Sequence, residues 1–235
     1  RRDLISDLID SRRHDPDTRE HDVLSAAMGV FIAGLDTVGS ALAYLLHDVL
    51  SRPEVLAAVR AEVDPVLGSG QVRAEDLHGC RYLNAVVSES LRLHPIAPAM
   101  SRHVTRDFEF AGHTIPAGTR LLVATTVPHQ LDEIFPEPAR FVPERFLPPR
   151  NEHRTPGAYS PFGRGPHICL GSAMAEGMLA TNLAVIVHCL ELALPDGYRL
   201  VERFSPTPRP TTDLRLQVVA RRAPFPVFAR AVPGT

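Results

Sequence analysis

The placement of proline constrains this chain more than any other feature. Proline fixes φ and lacks an N–H, so it interrupts helix interiors and central strands. The chain has 22 prolines in 235 residues. That is roughly 9%, against an average of about 5%. Eight fall between Pro128 and Pro161, seven between Pro195 and Pro233, and the other seven are scattered. The pattern predicts a mostly helical first hundred residues, then an ordered proline-rich loop and a proline-rich tail. Leu4 to Arg12 reads as a short amphipathic helix. Asp22 to Leu50 contains no proline and is apolar all round, which predicts one long buried helix of about 40 Å. Further helices are expected from Pro53 to Val63, with proline in the first turn, and from Tyr82 to Leu93, where His94 and Pro95 mark the stop. Another is expected from Gly171 to Leu192. Phe108-Glu109-Phe110, Leu121-Leu122-Val123 and Leu214 to Val219 read as strands, and Pro116-Ala117-Gly118-Thr119 as a turn. The expected class is mainly α with small β-sheets.

Composition removes several functions. A formal net charge of −2 gives no overall attraction to nucleic acid or an anionic membrane. A hydrophobic fraction of 44% suits a globular core. No apolar run approaches the roughly 20 residues of a membrane span, so no membrane association is expected from this chain. The three cysteines, Cys80, Cys169 and Cys189, are too few and too widely spaced for a disulfide scaffold or a CxxC metal knuckle. The chain starts Arg1-Arg2-Asp3 without methionine, and is expected to be a piece of a longer protein.

Four stretches carry potential chemistry. Ala33-Gly34-Leu35-Asp36-Thr37 places a costly glycine and a carboxylate within an apolar helix, with Thr37 on the face of Gly34. That is either a ligand-facing notch or a simple kink beside a satisfied Asp. In Glu89-Ser90-Leu91-Arg92, Glu and Arg share a helix face and can pair, as surface pairs commonly do. Pro143-Glu144-Arg145-Phe146 offers an arginine in an ordered loop or an exposed turn. Finally, Phe162-Gly163-Arg164-Gly165-Pro166-His167-Ile168-Cys169-Leu170-Gly171 shapes a tight loop that delivers Cys169 to a helix start. Helix N–H groups there favour a thiolate, and His167 is placed to hold an anion. A dinucleotide loop is disfavoured because Ile168 occupies the third glycine position. Zinc lacks a partner pair. A plain buried thiol remains the common alternative, and is the reading for Cys80 and Cys189.

Together and in this order, AGLDT, ESLR, PERF and FGRGPHICLG resemble the cytochrome P-450 family of heme-thiolate monooxygenases. LRLHP and GHTIPAGT resemble its connecting stretches. The likeness runs from about Leu4 to Val219 and covers the C-terminal, heme-ligating part of a single P-450 domain, residues 1–235. The resemblance implies heme b (iron protoporphyrin IX), with Cys169 as the metal ligand. Phe162, Gly163 and Gly171 belong to the ligand loop, and His167 and Arg102 would contact the propionates. Thr37 resembles the threonine that helps deliver protons during dioxygen activation, with Asp36 as its acid and Gly34 making room. Glu89, Arg92 and Arg145 resemble the family's buried structural triad. Substrate-facing positions by the same likeness are Val30, Ala33, Ile96, Ala97, Ala99, Met100, Pro206 and Thr207.

The implied reaction inserts one atom of dioxygen into a small organic substrate. NAD(P)H electrons would arrive through a ferredoxin or a flavin-containing reductase, since no nucleotide signature is present. A bacterial-like, cytoplasmic protein is expected, with a membrane anchor upstream of Arg1 not excluded. Where the family often has His-Arg-Asp-Pro, this chain has His129-Gln130-Leu131-Asp132, a departure expected to act locally. Alternatives are a peroxide-driven or non-oxygenating heme-thiolate enzyme, or a heme-free truncated interaction protein. A C-terminal part alone is expected to expose a large apolar patch.

Overall fold

The computed structural model describes every residue except 1, 2, 16, 18, 70, 205, 206, 212, 213 and 229–235. Pro206, a predicted substrate-facing position, therefore lies outside the described residues. Five α-helices are described: α1 (Leu4–His14), α2 (Glu20–Leu50), α3 (Pro53–Leu67), α4 (Arg81–Leu93) and α5 (Ser172–Cys189). The strands are β1 (Gln71–Val72), β2 (Met100–His103), β3 (Phe108–Phe110), β4 (His113–Ile115), β5 (Arg120–Val123), β6 (Leu190–Ala193), β7 (Glu202–Phe204), β8 (Pro208–Pro210), β9 (Gln217–Arg221) and β10 (Val227–Phe228). They form small two-stranded sheets: β1–β10 parallel, and β2–β5, β3–β4, β6–β9 and β7–β8 antiparallel. The arrangement is mainly α with small β-sheets, as the proline pattern implies.

The chain divides into two compact units, Arg1–Gly39 and Ser40–Thr235. In the first, Asp3 caps α1 by accepting the Ser6 N–H at 2.9 Å. Arg12 and Glu20 pair at 3.5 Å. The part of α2 in this unit exposes Leu24, Met28, Phe31, Ile32 and Leu35. The expectation of one uniformly buried helix is corrected here: the buried positions of α2 are Ser40, Ala41, Tyr44, Leu45, Leu46, Asp48 and Val49. An apolar sequence supplies a buried helix only where neighbours cover it. α2 and α5 are also long and apolar enough to cross a membrane by length and composition, which corrects the expectation of no such run.

In the second unit the apolar spacing sets the packing. Val55, Val59, Val63 and Leu67 stack one turn apart on α3, and Leu179, Leu183 and Val187 do so on α5. α3 runs past its predicted end at Val63 because Pro65 sits on the exposed face, leaving the Val63–Leu67 stripe intact. α5 stops three residues short of the predicted Leu192. Arg60 donates to the Val187 and Leu190 carbonyls at 3.2 Å, and Arg222 to the Val187 and His188 carbonyls at 2.6 and 3.1 Å. These two guanidiniums satisfy the carbonyls that a helix end leaves open. Leu190 then leaves in β conformation and pairs with β9, whose strand lies two to three residues beyond the predicted one.

His94 ends α4 as predicted, its N–H bonding the Ser90 carbonyl. Its ring stacks on Tyr44 at 4.5 Å. One ring nitrogen lies 3.5 Å from Asp48 and the other 3.1 Å from Glu202. Burial alone would lower the His94 pKa, but the two carboxylates outweigh it and the net shift is upward. Asp48 also accepts the Ser90 hydroxyl at 2.8 Å.

Candidate active site

α4 presents Glu89 and Arg92 one turn apart on a face that faces inward, and both side chains are fully buried. Arg92 grips Glu89 with two bonds of 2.7 and 2.9 Å. Its remaining N–H groups reach the carbonyls of His129 at 2.6 Å, Pro138 at 2.8 Å and Arg140 at 3.2 Å. Arg145, from the 3-10 turn Pro143–Phe146, is also buried and donates to Glu89 at 3.3 Å. The Val142 N–H completes the carboxylate's shell at 2.8 Å. Burial raises the Glu89 pKa from its ordinary value, and Arg92, the Val142 N–H and Arg145 oppose that rise. The structure therefore brings Glu89, Arg92 and Arg145 together. It rejects the surface-pair and exposed-turn alternatives.

Two members of this network are absent from the predicted set. Glu152 accepts from Arg145 at 3.0 Å and from Arg150 at 2.6 Å, giving the second arginine its own carboxylate. His129, in the 3-10 turn Val127–Gln130, has a completely buried side chain. Its Nδ1 lies 3.1 Å from the Arg92 carbonyl, and its Nε2 accepts the Ser160 N–H at 2.9 Å. The ring also stacks on Tyr159 at 5.4 Å. Burial lowers the His129 pKa to about 4, with Arg92 and Arg164 adding charge repulsion. Each is a single polar residue in an irregular segment, so no periodicity marks it.

Ser160 opens the cysteine loop. Its carbonyl accepts the Gly163 N–H at 3.1 Å, and its hydroxyl accepts from Arg164. The Cys169 N–H returns to the Phe162 carbonyl at 3.0 Å, closing the loop. Gly163 and Gly165 have φ of +77° and +72°, the left-handed region that glycine enters without strain. At Gly163 an added Cβ would stand 2.6 Å from the Met100 methyl, so the β2 edge is packed against this loop. Cys169, His167, Ile168 and Leu170 are exposed, Leu170 at 94%. Gly171 is the N-cap of α5. Cys80 and Cys189 are buried thiols, as expected, and burial raises both pKa values.

Arg102 is half-buried on β2, donating to the Ser101 carbonyl at 2.8 Å and lying 3.6 Å from the Met100 sulfur. Met100, Arg102 and the cysteine loop thus lie together. Ile96 and Ala99 are half-buried and Ala97 exposed in the segment before β2, while Thr207 lies just before β8. Val30, Ala33, Gly34, Asp36 and Thr37 lie on α2 in the first unit. There Thr37 Oγ1 donates to the Ala33 carbonyl at 2.5 Å, and Asp36 is exposed.

A buried Glu–Arg–Arg network behind a cysteine-bearing loop at a helix start defines a class of protein, and sequence comparison supplies its family. The family model described as Cytochrome P450 matches residues 1–210, and the chain belongs to that family. It is 37% identical over 188 residues, 78% of this chain and 40% of the relative, to cyclooctat-9-en-7-ol 5-monooxygenase of Streptomyces melanosporofaciens. It is 35% identical over 199 residues, 82% of this chain and 40% of the relative, to cytochrome P450 3A40 of Oryzias latipes. The crystal structure of a cytochrome P450 (CYP102L1) superposes with a TM-score of 0.77 at 28% identity, over 90% of this chain and 53% of the other. The chain thus has part of the cytochrome P450 fold. It spans about 40% of the length of the curated relatives it matches.

Two predictions follow from the buried network. Arg92→Ala leaves Glu89 buried without its principal partner and destabilises the protein by about 3–5 kcal/mol in urea melts. His129 titrates near 4 when folded and near the ordinary 6.5 when unfolded, so the unfolded chain binds the extra proton between these values. Its contribution is present above pH 6.5 and is lost as the pH falls toward 4, on the order of 3 kcal/mol in full. Urea melts between pH 7 and pH 4.5 therefore show a smaller loss of stability for His129→Gln than for the wild type.

Proposed function

We propose that this chain carries the heme-ligating machinery of a heme-thiolate monooxygenase acting on a small organic molecule. The observation that carries this reading is the cysteine loop, which presents an exposed Cys169 three residues before the start of an 18-residue helix. The donor set suits heme. A macrocycle supplies four nitrogens, so one protein thiolate suffices, and no cluster of three or more His, Cys, Asp or Glu is formed among the described residues. Ile168 and Leu170 offer exposed apolar contacts on either side of the sulfur. The side chains that would meet two propionates are His167 on the same loop and Arg102 on the strand beside it.

When bound, heme would supply the dioxygen chemistry, with the Cys169 thiolate as the protein ligand that would donate electron density to it. The chain's own residues do the rest. Phe162 would pack on the thiolate side, Gly163 lets the backbone follow the turn, and Gly171 caps α5. Glu89, Arg92 and Arg145 hold the segments behind the loop without touching substrate. Thr37 Oγ1 spends its proton on the Ala33 carbonyl within its own helix. Turning that hydroxyl outward breaks one local bond, so it can receive a proton from the Asp36 carboxyl side and pass it on. Gly34 leaves space beside it. By the family likeness, Val30 and Ala33 in the first unit and Ile96, Ala97, Ala99, Met100 and Thr207 in the second are the positions that would meet substrate. Electrons come from NAD(P)H through a ferredoxin or a flavin-containing reductase. This reading draws support from family membership and from the monooxygenase name of the Streptomyces relative.

The deciding experiment is the absorption spectrum of the intact, heme-loaded protein after reduction under carbon monoxide. The wild type shows the red-shifted Soret band of thiolate ligation, and Cys169→Ser loses it. A wild-type protein that binds heme without that band overturns the assignment. Replacing Thr37 with Ala leaves the band in place but uncouples reductant consumption from product, measured as product formed per NAD(P)H consumed. Unchanged coupling removes Thr37 and Asp36 from the proton path.

A further inference from the structure

His129 lies between two parts of the molecule that the proposed function treats separately. On one side is the Glu89–Arg92 pair; on the other is the stem of the cysteine loop. The bonds around it admit one protonation state. The Ser160 N–H can only donate, so Nε2 must carry a lone pair. The Arg92 carbonyl can only accept, so the single ring proton belongs on Nδ1. The ring is completely buried and its pKa is lowered to about 4, so it is neutral at pH 7. The Arg92 side chain also returns to the His129 carbonyl, so the two residues hold each other by side chain and backbone in both directions.

The target of Nε2 is a backbone N–H, which matters mechanically. A bond to a side chain fixes a rotamer, whereas a bond to the main chain fixes the path of the chain itself. Ser160 uses all three of its polar groups: N–H to His129, carbonyl to Gly163, hydroxyl to Arg164. Two residues later the Phe162 carbonyl receives the Cys169 N–H. A continuous hydrogen-bonded route therefore runs from Glu89 through Arg92, His129 and Ser160 to the loop that closes on Cys169.

We propose that His129 is a positioning residue for Cys169. As the neutral Nδ1–H form it transmits the placement of the buried Glu89–Arg92 pair to the cysteine loop through the Ser160 N–H. The proposal rests on the reading of Cys169 as the heme ligand, and extends it to a residue that touches neither heme nor substrate. The acceptor at Nε2 is the working atom, and the Nδ1–H bond to Arg92 holds the ring in register.

The test compares His129→Gln with His129→Asn in the intact heme-loaded protein. A glutamine amide reaches the position of Nε2 and can accept the Ser160 N–H, while an asparagine amide reaches only that of Nδ1. Two quantities are read: the share of the reduced, carbon monoxide-bound spectrum in the thiolate band, and amide hydrogen exchange at Ser160. In His129→Asn the Ser160 exchange quickens about fivefold, as expected for one lost buried bond. The thiolate band gives way in part to one without thiolate ligation. His129→Gln stays close to wild type in both. The proposal is overturned if His129→Asn matches wild type, or if both variants lose the thiolate band to the same extent. If the wild type itself lacks that band, the ligand assignment fails instead. The exchange contrast at Ser160 still reports whether His129 holds the loop.

Discussion

The bidentate grip of Arg92 on Glu89 is the interaction on which the rest of the second unit depends. Two charges one helical turn apart are removed from water entirely, and such burial is tolerated only when every remaining donor and acceptor is met. Here they are met by the chain segments that the site needs. Arg92 ties down the carbonyls of His129, Pro138 and Arg140, and Glu89 collects Arg145 and the Val142 N–H. The proline-rich stretch has little regular structure of its own, so these bonds take the place of a sheet or helix ladder. Arg145 extends the same logic to Glu152, which keeps the charges in balance.

The cysteine loop inherits its order from that network. It has two glycines in the left-handed region and one short 3-10 turn, and neither feature would hold a loop of this length by itself. Ser160 anchors its stem with three polar groups, and Met100 closes over Gly163, where a side chain would collide. The result is a thiol presented at the surface of the unit, at the start of a helix, with apolar side chains on either side. The cysteines differ in exposure. Cys80 and Cys189 are enclosed and raised in pKa, while Cys169 alone is exposed.

Much of this was legible in residue order. The helices α1, α4 and α5 follow from proline-free, periodic stretches, α3 from its apolar spacing behind Pro53, and the turn at Pro116–Thr119 from its Pro-Ala-Gly. The four motif stretches pointed to one family, and family comparison supports it. What resisted reading was whatever depended on partners distant in the chain. Glu89 and Arg92 look like a surface pair until the carbonyls that Arg92 reaches and the donors that Glu89 accepts are known. The end of α5 was misplaced because the groups that cap it, Arg60 and Arg222, lie more than a hundred residues before it and more than thirty after it. α2 reads as buried throughout, yet its exposed stripe shows that an apolar face reports what it prefers rather than what covers it.

The sequence by itself determined the mainly helical class, the placement of proline-rich loops and the family. Each depends on local chemistry: proline's missing N–H, apolar spacing at 3.6 residues, glycine's access to positive φ. Only the tertiary structure decided that His129 is neutral with its proton on Nδ1. It also decided that Glu152 balances Arg145, and that Ser160 is the anchor of the cysteine loop. Those outcomes come from desolvation and from hydrogen bonds between residues 31 to 56 positions apart or from an irregular turn nearby. A residue's charge and tautomer are set by what surrounds it after folding.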